Sequence, residues 1–108
     1  MKDKRKILLH YLICALWTEE LDRKDIKDIA KQSVEQATKD IDAFMLKAEG
    51  LVGDMTEEMI GHDFWLTRNG HGAGFWDRGL GDVGIKLTEI CKEFNQLNVF
   101  DGGKVLIE

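Results

Sequence analysis

The sequence predicts an α+β domain, and three observations carry that expectation: two long stretches with apolar residues at helical spacing, a later stretch that alternates at period two, and a terminal pair of short β-prone runs around Asp101-Gly102-Gly103. In chain order the elements read helix, helix, hairpin, helix, hairpin (α-α-ββ-α-ββ), about three main helices packed on antiparallel β-hairpins. A chain of 108 residues holds one core comfortably and two poorly, so residues 1–108 are expected to form one domain.

Residues 4 to about 20 place Ile7, Leu8, Tyr11, Leu12, Ala15 and Leu16 on one helical face. Leu9, Ile13 and Trp17 widen that stripe, which predicts a central helix touched on more than one side and leaves an apolar surplus that hints at self-association. The preceding Lys2-Asp3-Lys4-Arg5-Lys6 gives the region the look of a signal peptide. His10 interrupts the apolar run and Thr18-Glu19-Glu20 offers no small-residue cleavage site, so a buried helix is the expected outcome. Asp25 to Ala30 reads as a short helical turn. Ser33-Val34-Glu35-Gln36 has the form of a capping box opening a second helix. Its apolar face is Val34, Ala37, Ile41, Phe44, Met45 and Ala48, and its wet side is Glu35, Lys39, Asp40, Asp42 and Lys47.

Beyond an acidic turn at Asp54 to Glu58, His62, Phe64, Leu66 and Arg68 alternate with Asp63, Trp65 and Thr67. Asn69-Gly70 is a strong signal for a tight reversal, and Ala73 to Asp77 can return as the partner strand, so a β-hairpin with its tip near His71 is predicted. Gly79 to Phe94 resumes a helical pattern, capped near Asp82, with Gly84 marking a close backbone approach. Leu97 to Phe100 and Lys104 to Ile107 form the terminal hairpin. With no proline in the chain, glycine and aspartate supply the turns.

Composition excludes some functions. The chain is 44% hydrophobic and 32% charged, as folded domains are, and its formal net charge of −5 disfavours general nucleic-acid binding, which relies on basic side chains displacing counterions. The two cysteines, Cys14 and Cys91, each lie in an apolar stretch and read as reduced, buried thiols.

Gly61 to Arg78 is the stretch that sets this chain apart, with two tryptophans, two histidines, two arginines and two aspartates among glycines. A catalytic reading would use His62 or His71 as base, Asp63 or Asp77 to orient it, and Arg68 or Arg78 to hold an anion. A metal reading would draw ligands from His62, Asp63, His71, Asp77 and His10, at spacings that match no zinc pattern. Gly79-Leu80-Gly81-Asp82-Val83-Gly84 matches the dinucleotide fingerprint literally. It follows a hairpin rather than a βαβ unit, and Asp82 stands where a pyrophosphate would approach, so a plain turn and helix start is preferred. No metal and no cofactor is therefore expected.

In the run Gly61-His62-Asp63-Phe64-Trp65-Leu66-Thr67-Arg68 through Gly74-Phe75-Trp76-Asp77-Arg78, the chain resembles a family of short uncharacterised proteins encoded by tailed bacteriophages. The likeness is strong over the motif and weak over the first fifty residues. It implies action in the cytoplasm of an infected bacterium, and brings no catalytic or binding assignment with it.

The leading expectation is a noncatalytic accessory protein that docks on a host protein or complex, such as a defence component. On a hairpin with Phe64 and Phe75 inward, Trp65 and Trp76 face out, so Trp65, Arg68, His71, Trp76 and Arg78 become the anchors, with His62, Asp63 and Asp77 completing the binding set. Alanine at Trp65 and Arg68 would then leave the thermal transition nearly unchanged. Two alternatives use the same segment: a site for a nucleotide or other anionic metabolite built on Asp63, His71 and Arg68, and stacking of single-stranded nucleic acid on its aromatics.

Overall fold

The computed structural model describes residues 2–21 and 23–108. Among these residues four α-helices, α1 (Lys4–Thr18), α2 (Lys31–Ala48), α3 (Glu57–Arg68) and α4 (Asp82–Cys91), surround one hydrophobic core, and an antiparallel pair, β1 (Val99–Gly102) and β2 (Lys104–Ile107), closes one side. The broad α+β class stands. Among the described residues there is one hairpin, not two, because the segment expected to form the first is helical.

Thr56 opens α3: its side-chain oxygen accepts from the Met59 N–H at 3.1 Å, and Glu57 and Glu58 occupy the first turn, where acidic groups meet the positive helix end. The stop is a Schellman motif. Gly70 takes φ +69°, the His71 N–H donates to Leu66 O at 3.0 Å and the Gly70 N–H to Thr67 O at 3.3 Å. Asn69-Gly70 thus supplies the left-handed residue that ends a helix instead of the one that reverses a hairpin. After it the chain makes a 3-10 turn at Phe75–Asp77 and enters α4.

The helix α3 is covered nearly all round, with Ile60, Gly61, Asp63, Phe64, Trp65, Leu66 and Arg68 all buried. It packs chiefly on α1. Gly61 is what permits the approach: a Cβ there would lie 2.5 Å from Ile7 O and 2.8 Å from the Tyr11 nitrogen. A second close approach, at Gly84, would put a Cβ 2.7 Å from Phe75 O, as the sequence suggested for that position. Aromatic rings fill the centre. Phe44 stacks on Phe64 at 4.3 Å between centroids, Phe94 meets Phe64 edge-on at 5.1 Å, and Tyr11 meets Trp65 edge-on at 5.3 Å.

The expected apolar face of α2 is the observed one, with Ala37, Ile41, Phe44, Met45 and Ala48 buried and Val34 partly so. Its start differs. The helix begins at Lys31 after Ala30, and Ser33 makes no capping box. The Ser33 hydroxyl instead accepts from the Ile107 N–H at 2.9 Å, while the Ala30 N–H donates to Val105 O at 2.7 Å. These two bonds dock β2 on the start of α2, with Val105 and Ile107 buried beneath. The short turn expected near Asp25 is a 3-10 turn, Ile26–Asp28, boxed by Asp25 and Asp28. No helix among the described residues is long and apolar enough to cross a membrane.

Candidate functional site

Because Gly61–Arg68 is helical, the side chains expected to share an exposed hairpin face point in several directions. Trp65 is 1% exposed, and its indole N–H donates to Thr18 Oγ1 at 2.8 Å. Arg68 is also buried. Its Nε donates to Asn95 O at 2.7 Å and one terminal nitrogen to Asp40 Oδ2 at 2.7 Å and the Tyr11 hydroxyl at 3.2 Å. The guanidinium carbon lies 5.4 Å from the Phe94 ring centroid and 5.9 Å from that of Phe64. Asp40, expected on the wet side of α2, is drawn in by this arginine, its side chain only 14% exposed.

Asp63 is wholly buried on α3, and Arg78 reaches back to fork it. The Arg78 Nε lies 3.2 and 3.1 Å from the two carboxylate oxygens, and a terminal nitrogen 2.7 Å from Oδ1. This carboxylate holds the Arg78 guanidinium above its ordinary pKa. Asp77 accepts from the Gly74 N–H at 3.0 Å, and Thr67 Oγ1 accepts from the Phe75 N–H at 3.1 Å. The crowding of polar groups in this motif is thus a set of internal ties: Asp63 to Arg78 holds the segment after α3 back on that helix, and Arg68 to Asp40 joins α3 to α2. A buried carboxylate or guanidinium needs such a partner, since an uncompensated charge in the core costs several kcal/mol, about 3–5.

Trp65 and Arg68 are not surface anchors, and Asp63 and Arg68 are each committed to another internal partner instead of converging with His71 on an anion. Phe64, Trp65 and Phe75 are core residues, which leaves them no free face for a base. Of the expected set, Trp76 is 55% exposed, Asp77 and Arg78 are exposed, and His62 and His71 are half-buried. The glycines from Gly79 to Gly84 serve a turn, the start of α4 and its packing on Phe75, as the preferred reading had it.

The surface feature that stands out lies on α1. Leu9, Ile13 and Trp17 follow one another at i, i+4 and i+8 and are 42%, 40% and 66% exposed. The residues read as widening a central stripe are therefore an uncovered apolar ridge. Beside it runs a groove of about 450 Å³ lined by Ile13, Leu16, Trp17, Lys24, Asp25, Ile26 and His62. Apart from Lys24, Asp25 and His62 this lining is apolar, and Lys24 is itself tied to Asp101 at 3.5 Å.

No protein-family model, curated protein or solved structure matches this chain.

His62 joins two features. It lines the groove, and across the α1–α3 contact it meets His10, ring centroids 5.8 Å apart and edge to face. Glu58, one turn earlier on α3, completes a cluster in which one donor atom from each of His10, Glu58 and His62 lies within 4.8 Å of the others. The Nε2 atom of His62 is shut off from solvent and has no hydrogen-bond partner among the described residues. Burial first, with His10 adding, lowers the pKa of His62, while Glu58 opposes. Cys14, whose thiol lies 3.8 Å from His62 O, and Cys91 are both buried, and burial raises each thiol to about 12. Thiolate chemistry at neutral pH is thereby disfavoured.

Proposed function

We propose that this protein is a noncatalytic binding module that docks on a host protein through α1, with Trp17 as the central anchor. The observation that carries the reading is the Leu9, Ile13, Trp17 ridge lying beside an apolar groove. Folding gives no reason to leave a tryptophan 66% exposed among other apolar residues, whereas binding does: tryptophan at the centre of an apolar patch is a common source of interface energy. A protein partner with an apolar helix or loop suits a ridge and groove of this length better than a polar metabolite does. The bacterial host is what the resemblance to phage proteins implies, and blocking or redirecting a host system, defence included, is the role we assign to the docking.

The test is affinity capture of the tagged chain from bacterial lysate beside Trp17→Ala and Ile13→Ser forms. Both positions are substantially exposed, so the thermal transition should move little. A protein retained by the wild type and lost by both forms supports the reading. One retained equally by all three removes α1 from the account.

A further inference from the structure

We propose that His10, Glu58 and His62 form a binding site for one divalent transition-metal ion, with zinc the best match. The site is independent of the docking reading.

The geometry comes from two helices. Glu58 and His62 are four residues apart on α3, one turn along the same face, and His10 projects from α1. The helices are held close where they cross: Gly61, next to His62, would place a Cβ 3.1 Å from His10 Cβ. His10 and His62 are therefore fixed opposite one another by packing, and the cluster does not depend on loops. In a tetrahedral site with bonds of about 2.0–2.1 Å, donors sit about 3.3 Å apart. The donor atoms already lie within 4.8 Å of one another, so closing on an ion asks each pair to approach by no more than about 1.5 Å.

The donor chemistry selects the ion. Two imidazoles and a carboxylate suit zinc, copper or nickel, whereas calcium and magnesium favour oxygen donors throughout. Three protein ligands leave a fourth position for water or an incoming group. His62 carries the second, independent observation, a solvent-excluded Nε2 with no hydrogen-bond partner among the described residues. A buried polar atom without a partner is a standing cost, and coordination at that nitrogen would relieve it. Since His62 also lines the groove, the metal site and the groove share a wall.

The experiment uses the untagged full chain, stripped with chelator and titrated with zinc sulfate by calorimetry, with histidine ring signals followed by NMR. One ion per chain is expected. His10 and His62 should shift and saturate together while His71, outside the cluster, stays in place. His10→Ala and Glu58→Gln change half-buried and exposed side chains, so both forms should remain folded by circular dichroism. Each should bind zinc at least tenfold more weakly, and together they should weaken it on the order of 100-fold. Absence of saturable binding by the wild type overturns the proposal, as does affinity unchanged in both folded variants or a response confined to His71.

Discussion

The indole N–H of Trp65 on α3 donates to the hydroxyl oxygen of Thr18 at the end of α1, at 2.8 Å, and that hydroxyl in turn donates to Ala15 O at 3.3 Å. A tryptophan that looks in sequence like a surface anchor is thus one of the polar ties between two core helices. Thr18→Val keeps the shape and removes the acceptor, leaving the indole N–H unsatisfied. The expected loss is about 1–3 kcal/mol, read from chemical denaturation. A variant as stable as the wild type would show that water replaces the hydroxyl.

The Trp65→Ala, Arg68→Ala double variant should not leave the thermal transition in place, contrary to the sequence-based expectation. Removing the tryptophan alone costs about 3–5 kcal/mol through lost burial and the cavity left behind. Removing Arg68 strands Asp40 and adds a comparable loss of about 3–5 kcal/mol. Together these approach the whole stability of a small domain, about 5–15 kcal/mol, so circular dichroism should find the variant largely unfolded at 37 °C.

Gly61→Ala drives a methyl group into the backbone of α1, and the expected destabilisation is about 2–3 kcal/mol or more. Gly72→Ala is the matched control. A Cβ there meets nothing within 4 Å, and its effect should stay within about 0.5 kcal/mol. Equal effects of the two substitutions on denaturant midpoint would contradict the close α1–α3 crossing.

Tyr11 is the sole tyrosine, so its ionisation can be followed in isolation. Burial raises its pKa from 10.0 to about 12, with Arg68 opposing and Asp40 assisting. Below pH 10 the phenol is neutral in both native and unfolded chains and its stabilising effect is complete. Between pH 10 and 12 the unfolded chain releases a proton that the native chain keeps, so stability falls by about 3 kcal/mol over that interval. Tyrosinate absorbance should rise near pH 12 or with unfolding, whichever comes first. A native-state transition near pH 10 would place the ring in water.

Most of the fold was legible because α2 and α4 each keep a dry side and a wet side, because α1 repeats apolar residues at helical spacing, and because Asp101-Gly102-Gly103 sits between two β-prone runs. The helix α3 was not, and the reason is its burial. With Asp63 and Arg68 neutralised internally and Gly61 pressed on α1, only a narrow polar strip, chiefly Glu58 and His62, is left to reveal the period. Asn69-Gly70 then favoured the wrong element, since a Schellman stop and a hairpin turn ask for the same left-handed residue. The helix start is legible in Thr56-Glu57-Glu58, a cap followed by acidic residues, a composition that suits an acidic turn equally well. As for the site, Leu9, Ile13 and Trp17 stand out in the sequence as an apolar surplus, yet sequence does not distinguish a covered flank from a bare ridge. The pairing of His10 with His62 depends on where two helices cross, and no local pattern carries that.

The most direct test of the central claim is affinity capture from bacterial lysate with the wild type, Trp17→Ala and Trp76→Ala, each verified as folded. Trp17 and Trp76 are the two exposed tryptophans, 66% and 55%, one on the α1 ridge and one in the glycine-rich segment. Docking through α1 requires that a partner held by the wild type be lost with Trp17→Ala and kept with Trp76→Ala. The reverse pattern would contradict it and return the binding role to the glycine-rich segment.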